Sequence, residues 1–515
     1  MKRSFIGRTV RRLFNRRVII AILILAQLAL IAVTLFRLAP GVQYIFSLFS
    51  VITALHLMTR PDKSGYKLSL VFLILLLPVF GGAFYWIFHF QTTSVGFRRG
   101  LRKSEALALP AMQTPDTQTE QPFRSACESA PESARLMHYL QDHMRLPLYR
   151  STQTRYFSNG RDMLADMLED LRRAERYIFL EYFIIEEGRM WNAILEILTE
   201  RVKAGVEVRI LYDDLGCFVS LPSDYAHTLR SKGIQCALFN PFHPFLTSIQ
   251  NNRDHRKIAV IDGRVAYTGG INLADEYIGE KIKYGSWKDS AIRLSGDGAW
   301  GFTVMFLQMW SFVTRKAVDF EGYRPVAPVS CEEVSGWVQP YTDSPIDKEN
   351  VGEHIYLRMI EQAQKYLYIT TPYLVVDDNM ISALTLCAKS GVDVRIITPE
   401  IPDKRAVHFT TRSYYKDLIR AGVRIYEYSG GFIHAKTVVS DDLAATVGTT
   451  NFDFRSFYLH FECGVCLYRS DSIADIKADF LRTVEQSRPI TERDCKASLF
   501  KKLRQSIARI FAPLM

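Results

Sequence analysis

The sequence predicts an α/β protein whose body is two pseudo-twofold related α/β/α halves, preceded by N-terminal transmembrane helices. Three observations predict it. A five-residue signature occurs twice at identical offsets, helix–glycine–strand units repeat around each copy, and the first hundred residues are apolar runs bounded by basic residues.

At 515 residues the chain exceeds one ordinary core, and about three structural parts are expected. The net charge of +10 is unevenly spread. Residues 1–103 hold 15 Lys/Arg against Asp62 alone, whereas the remainder holds 49 basic and 53 acidic residues. The positive charge therefore flanks the apolar N-terminus, and the body is slightly acidic. That favours a partner at an anionic membrane surface and argues against nucleic acid, whose binding leans on phosphate neutralisation.

Residues 1–103 read as a membrane-anchoring region. Val18–Phe36 and Leu68–Phe90 are long enough to cross a bilayer as helices. Val42–Met58 is a third candidate span, more polar through Gln43, Ser47, Ser50, Thr53 and His56, its alternative being an interfacial helix. Seven Lys/Arg ahead of the first span place the N-terminus on the cytoplasmic side. Three spans put the body outside, while Arg98, Arg99, Arg102 and Lys103 resist translocation, so the side of the body stays open.

Residues 104–148 are polar and proline-bearing and read as a linker, with one short helix around Ser133–His143. The first half is expected over 149–330 and the second over 331–490. Lys203-Ala204-Gly205-Val206-Glu207-Val208-Arg209-Ile210 parallels Lys389-Ser390-Gly391-Val392-Asp393-Val394-Arg395-Ile396. In both, a helical stretch stops at glycine, the usual residue just past a helix end, and a β-branched strand follows. Cys463 and Cys466 lie in an expected strand, Phe461–Tyr468; positions three apart point to opposite faces, so the pair reads as strand packing. In the tail, 491–515, Leu499, Phe500, Leu503, Ile507, Ile510 and Phe511 share an arc of about 120° on a helix. Lys501, Lys502, Arg504 and Arg509 lie outside it. Such a helix suits an anionic membrane surface or docks on the body.

The repeated signature carries the chemistry. His255, Lys257, Asp262, Gly269 and Asn272 recur as His434, Lys436, Asp441, Gly448 and Asn451. On strands spanning Asp254–Ile261 and Ile433–Ser440, each histidine and its lysine project from one face. The aspartates fall at turn signals, better placed to brace the turn than to touch substrate. Asn272 and Asn451 follow a glycine bend, where a helix N-cap would aim amide groups at phosphate oxygens. Two copies facing one pocket supply two imidazoles, two ammoniums and two carboxamides. One neutral imidazole attacks phosphorus, the other delivers a proton to the leaving oxygen, and the cations stabilise the five-coordinate transition state. The scheme needs no metal and no cofactor. Each imidazole also needs a partner to fix its tautomer; Asp289 is the candidate for His255, and Glu462 for His434. Asp213-Asp214 reads as a strand-end capping pair, not a metal pair.

These motifs resemble the HxKxxxxD signatures of the phospholipase D superfamily over residues 150–490. Leu77-Pro78-Val79-Phe80-Gly81-Gly82, Thr371-Pro372-Tyr373 and Gly448-Thr449-Thr450-Asn451-Phe452-Asp453-Phe454-Arg455-Ser456 are similar to stretches of bacterial cardiolipin synthases. The resemblance implies two phospholipase D-like halves at the bacterial cell membrane, in a multi-pass protein. It implies transfer of a phosphatidyl group from one phosphatidylglycerol to another with release of glycerol, His255 as nucleophile and His434 as acid/base. A phospholipase D-type hydrolase, or a transferase using another alcohol, would share the same intermediate. Two departures stand out: His460 where relatives carry asparagine, and Ala291 where they often carry histidine.

Overall fold

The computed structural model describes residues 40–60, 63–78, 81–89, 92–113, 120–242, 248–325, 334–347 and 349–514, with Ala29 and Val33. The expected span Val18–Phe36 lies outside these residues apart from those last two. The region expected as a third span is a continuous helix, Pro40–Met58. Its Gly41–Met58 stretch alone, among the described residues, is long and apolar enough to cross a membrane.

The expected span Leu68–Phe90 is not one helix. It divides into Ser64–Leu76 and Gly81–His89. The break has a local cause: Pro78 lacks an amide hydrogen and disfavours helical geometry at the residue before it. Leu77 accordingly leaves the helix at φ −122° and ψ 64°. Both pieces fold against Pro40–Met58. The Gly82 amide donates to Ser50 Oγ at 2.9 Å, and the Trp86 indole donates to Thr53 Oγ1 at 3.0 Å. Ser50 and Thr53 are thus buried in the seam, while Tyr44, Ile45, Leu48 and Leu55 face outward and exposed.

Strands of the first half are β1 (Thr152–Phe157), β2 (Tyr177–Tyr182), β3 (Glu207–Asp213) and β4 (Gln235–Phe239). They continue with β5 (Arg253–Asp254), β6 (Lys257–Ile261), β7 (Val265–Gly269), β8 (Ser286–Lys288) and β9 (Ala291–Gly296). The second half holds β10 (Trp337–Asp343), β11 (Tyr366–Thr370), β12 (Leu374–Val375), β13 (Asp393–Pro399) and β14 (Arg424–Tyr428). It ends with β15 (Gly431–Ile433), β16 (Thr437–Ser440), β17 (Ala444–Gly448), β18 (Phe452–Asp453), β19 (His460–Tyr468) and β20 (Ser487–Ile490).

The first main sheet runs β1-β9-β7-β6-β2-β3-β4, and the second β10-β19-β17-β16-β11-β13-β14, extended by β20. The orders correspond strand for strand, and β2–β3–β4 and β11–β13–β14 are the parallel portions of each. The glycines that end the matched helices, Gly205 and Gly391, take φ values of +91° and +95°, which side-chain-bearing residues rarely adopt. Helices Gly160–Arg172 and Arg189–Lys203 pack on one face of the first sheet with Met167, Ile194 and Leu198 buried. Ala299–Thr314 covers the other face and is apolar nearly all round, as a helix buried on every side must be.

The stretch expected as a linker is largely helical and packed onto the body. Thr92–Met112 runs along Ala299–Thr314, and Ala126, Leu136, Met137 and Leu140 are fully buried. Its polar composition is that of amphipathic helices, which bury one apolar face, although Leu107 and Leu109 stay exposed.

Two short strands leave their own sheets and pair across the halves. β5 pairs with the start of β19, and β8 pairs with β15. The histidine strands expected as continuous are therefore broken, with His255 between β5 and β6 and His434 between β15 and β16. The motif aspartates sit at the far ends of β6 and β16, with φ of +53° and +57°. Asp262 accepts from the amides of Glu175, Arg176 and Tyr177, each at 2.8 Å. Asp441 does the same for Gln364, Lys365 and Tyr366 at 2.7–2.9 Å. Grouped with the catalytic residues by the signature, they instead clamp the entry of β2 and β11. Asp441→Ala should lower stability by roughly 1–3 kcal/mol, since it strips three backbone donors of a charged acceptor. A lowered Tm with turnover retained below it is the expected result; lost turnover at unchanged Tm would return the aspartate to the chemistry.

Candidate active site

The strand exchange builds the site. The His255 amide donates to the Phe461 carbonyl at 3.0 Å, and the His434 amide to the Lys288 carbonyl at 2.7 Å. Each histidine is thereby stitched to a strand of the other half, and the next residues on that strand bring a carboxylate to its ring. His255 Nδ1 lies 3.0 Å from both Glu462 oxygens, and His434 Nδ1 lies 2.7 Å from Asp289 Oδ2. The pairing expected from sequence, Asp289 with His255 and Glu462 with His434, is reversed. Proximity along the chain favoured a partner in the same half; the β5–β19 and β8–β15 registers exchange them.

Close packing enforces both contacts. A Cβ on Gly270 would come within 2.0 Å of Asp289 Oδ1, so only glycine admits that carboxylate. Glu462 is held from its other side by the Thr449 hydroxyl. Around His255, Arg256 is locked between Glu181 at 2.8 Å and Asp254 at 3.2 Å, and Arg253 pairs with Asp213 at 2.9 Å. Asp213 also accepts from the Gly216 and Asp254 amides, a loop-bracing role and not a metal-binding one.

Lys257 Nζ donates to the His255 carbonyl at 2.5 Å, and Lys436 Nζ donates to the His434 carbonyl while lying 2.8 Å from its Nδ1. The four basic groups share one pocket: His255 feels the charges of Lys257, Lys436 and His434, and His434 feels Lys257. Burial, followed by Lys257, holds His255 well below the usual imidazole range. Burial and then Lys436 bring His434 down to about 4, with Asp289 acting the other way. Burial lowers Lys257 to about 8 and Lys436 to about 7. Glu462 is pushed well above the carboxylate range by burial, against Lys257. Asp289 differs: burial pushes it up, but Lys436 and then His434 outweigh that and hold it low.

The ring neighbours differ as well. Trp287 stands two residues before Asp289 and His460 two before Glu462, at equivalent places on the exchanged strands. Trp287 lies 5.6 Å from the His434 ring, with Phe432 at 5.8 Å and Tyr277 at 6.0 Å. His460 lies 5.3 Å from the His255 ring, with Phe183 at 5.0 Å. Sequence reasoning left Trp287, Thr449 and Phe183 out of the site; the shared two-residue offset of Trp287 and His460 was the available signal.

The asparagines are buried beside this pocket but are not helix caps. Asn272 Oδ1 accepts from the Ile184 amide at 3.0 Å, and its Nδ2 donates to the Tyr277 hydroxyl at 2.7 Å. Asn451 Nδ2 donates to Asp453 Oδ2 at 3.1 Å, and Asp453, not Asn451, caps the helix Phe454–Tyr458. Asn451 Oδ1 is buried without a protein partner.

The family model for the cardiolipin synthase, phospholipase D-like domain matches residues 167–282 and 356–484, one match in each half. A cardiolipin synthase of Geobacillus sp. is 34% identical over 488 residues, covering 93% of this chain and 95% of its own. Cardiolipin synthase 2 of Bacillus anthracis is 38% identical over 366 residues, 71% of each chain. The chain belongs to the cardiolipin synthase family of phospholipase D-like proteins. It is an enzyme, a phosphatidyltransferase by family. The crystal structure of phosphatidylserine synthase from Haemophilus influenzae superposes with a TM-score of 0.56 at 16% identity, covering 74% of this chain and 98% of that one. That likeness establishes the phospholipase D-like fold.

In this family member the pocket lysines set a pH limit. An ammonium is lost as pH rises through its pKa, so the basic limb of kcat/KM should fall between about pH 7 and 8, far below the lysine range. Lys436→Arg keeps its charge and should move that limb upward by about a unit or more. A limb unmoved by the substitution would assign it to another group.

Proposed function

We propose that this enzyme transfers a phosphatidyl group between two phosphatidylglycerol molecules, releasing glycerol, through a phosphohistidine on His255. The observation that carries the reading is the inequivalence of two histidines in one pocket, each oriented by a carboxylate from the opposite half. His255 presents Nε2 while its Nδ1 is engaged by Glu462, the arrangement a nucleophilic imidazole needs. His434 sits within three aromatic rings and 2.7 Å from Asp289, whose charge supports a proton on this ring against the burial and the Lys436 charge that lower it.

The chemistry then runs in two balanced steps. His255 Nε2 bonds to phosphorus as the P–O bond to the first glycerol headgroup breaks, and His434 gives that oxygen its proton. The hydroxyl of a second phosphatidylglycerol then loses its proton to His434 as its oxygen bonds to phosphorus, and the P–N bond breaks. Lys257 and Lys436 neutralise the phosphoryl oxygens throughout. Asn272 positions the wall next to His434 through Tyr277, and the unpaired Asn451 Oδ1 offers an acceptor to a headgroup hydroxyl. No metal or cofactor takes part.

We further propose a multi-pass anchor in a bacterial cell membrane. The described N-terminal helices bury Ser50, Thr53 and Ser69 and expose Tyr44, Ile45, Leu48, Leu55, Leu68 and Leu76, the inverse of a water-soluble bundle. The C-terminal helix Leu499–Phe511 docks along the helix Arg405–Arg420, where Arg504 stacks on Phe409 at 5.4 Å. Arg509 pairs with Asp417 at 3.0 Å, and Phe511 meets Phe72 at 5.7 Å. Leu499, Phe500, Leu503 and Ile507 stay exposed beside the membrane helices, with Lys501 and Lys502 exposed as well. This amphipathic helix would rest on anionic lipid.

Phosphatidylglycerol vesicles with excess chelator should yield cardiolipin and glycerol in near-equal amounts, by mass spectrometry. His255→Ala and His434→Ala should each lower the rate by about 10²–10⁴-fold. Protein given phosphorus-labelled phosphatidylglycerol and denatured in alkaline detergent, where a P–N bond survives, should carry label in His434→Ala and none in His255→Ala. Phosphatidic acid as the main product, or label retained without His255, would defeat the reading.

A further inference from the structure

The pseudo-twofold axis relates Trp287 to His460, and the exchange of indole for imidazole changes what the His255 side of the pocket can bind. His460 is nine-tenths buried, and its Nδ1 has no hydrogen-bond partner. That nitrogen faces Glu462 Oε1 at 3.7 Å, and His255 Nδ1 faces the same oxygen at 3.0 Å. One ligand atom from each of the three residues lies within 4.8 Å of the other two. A tetrahedral zinc ion with ligands near 2.1 Å places them about 3.4 Å apart, midway between the two measured separations. Two imidazoles and one carboxylate form a ligand set that zinc accepts. On the His434 side the equivalent residue is Trp287, which has no lone pair to offer.

We propose that His255, His460 and Glu462 form a binding site for a zinc-like transition-metal cation, and that its occupation switches the enzyme off. The reason is tautomeric. A neutral imidazole carries one N–H. Metal on His255 Nδ1 uses that nitrogen's lone pair, so the hydrogen must reside on Nε2, and Nε2 can no longer attack phosphorus. His460 binds through Nδ1 and keeps its hydrogen on Nε2, giving up only a 3.5 Å contact from Arg455 Nη1. Lys257, whose charge reaches both histidines, opposes the incoming cation. The site is therefore reversible and inhibitory, unlike a structural zinc centre. The inhibitory part rests on the nucleophilic role proposed for His255; the binding site itself does not.

The test uses the full-length protein in detergent micelles, with Co²⁺ as a visible probe and Zn²⁺ as inhibitor. Cobalt should give the absorption of a tetrahedral site in the wild type and in His434→Ala, and none in His460→Asn. Zinc at about 100 µM should lower wild-type cardiolipin formation at least about tenfold, reversed by chelator. His460→Asn and His460→Phe should each stay within about twofold of their own metal-free rates. The two substitutions differ in shape, so a folding defect in one leaves the other to decide. Equal inhibition of wild type and both variants, or no cobalt band in the wild type, overturns the proposal. Cobalt binding that depends on His460, in a protein inactive on phosphatidylglycerol, would keep the metal site and remove the proposed reaction instead.

Discussion

The site depends on two backbone exchanges of two or three residues each. β5 leaves the first sheet to pair with β19, and β15 leaves the second to pair with β8. These pairings spend the amides of His255 and His434 on the opposite half and fix, by register, which carboxylate meets which ring. A buried imidazole without its carboxylate would lose both tautomer and orientation. Neither half therefore contains a complete histidine pair, and the duplicated fold functions only as a joined body.

Burial makes that joining effective. All four basic residues are nearly inaccessible to water, and two carboxylates accompany them. Desolvation lowers both lysines toward neutrality, so the pocket gains its full positive charge when a phosphate arrives to balance it. Removing one partner from such a set leaves an uncompensated charge in a dry interior, which typically costs about 3–5 kcal/mol. The braces beneath the pocket, Arg253 with Asp213 and Arg256 with Glu181 and Asp254, keep the broken strand from relaxing around that charge. Symmetry is broken by what surrounds the rings: an aromatic cage and an aspartate held low by Lys436 at His434, a second imidazole and a glutamate pushed up by burial at His255.

The N-terminal helices follow a different solvent rule. Their small polar residues turn inward and hydrogen-bond across the seam, while aliphatic side chains face out. Lys63 ties this bundle to the body through Glu353 at 2.8 Å, and Ser69 reaches the Ile510 carbonyl of the C-terminal helix. The apolar helices and the tail thus meet on one side of the molecule, beside the second half.

The amino-acid sequence by itself determined the duplication, the two histidine–lysine pairs and the α/β character. Spacing along the chain records which side chains share a strand face, and glycine after a helix records where the chain turns. Position in the chain also marked the motif aspartates as turn residues. What it does not record is pairing between segments two hundred residues apart. His255 and Glu462 meet across 207 positions, and His434 and Asp289 across 145. Only the folded registers of β5 with β19 and β8 with β15 decide that the carboxylates are exchanged, that the histidine strands break, and that Trp287 and His460 occupy equivalent places. Composition also misled at 104–148, where polar helices read as linker, and at Pro78, where one apolar run became two helices. At 104–148 burial of one face settled the outcome, and a face exists only once its neighbours are in place; at Pro78 the missing amide hydrogen divided the run.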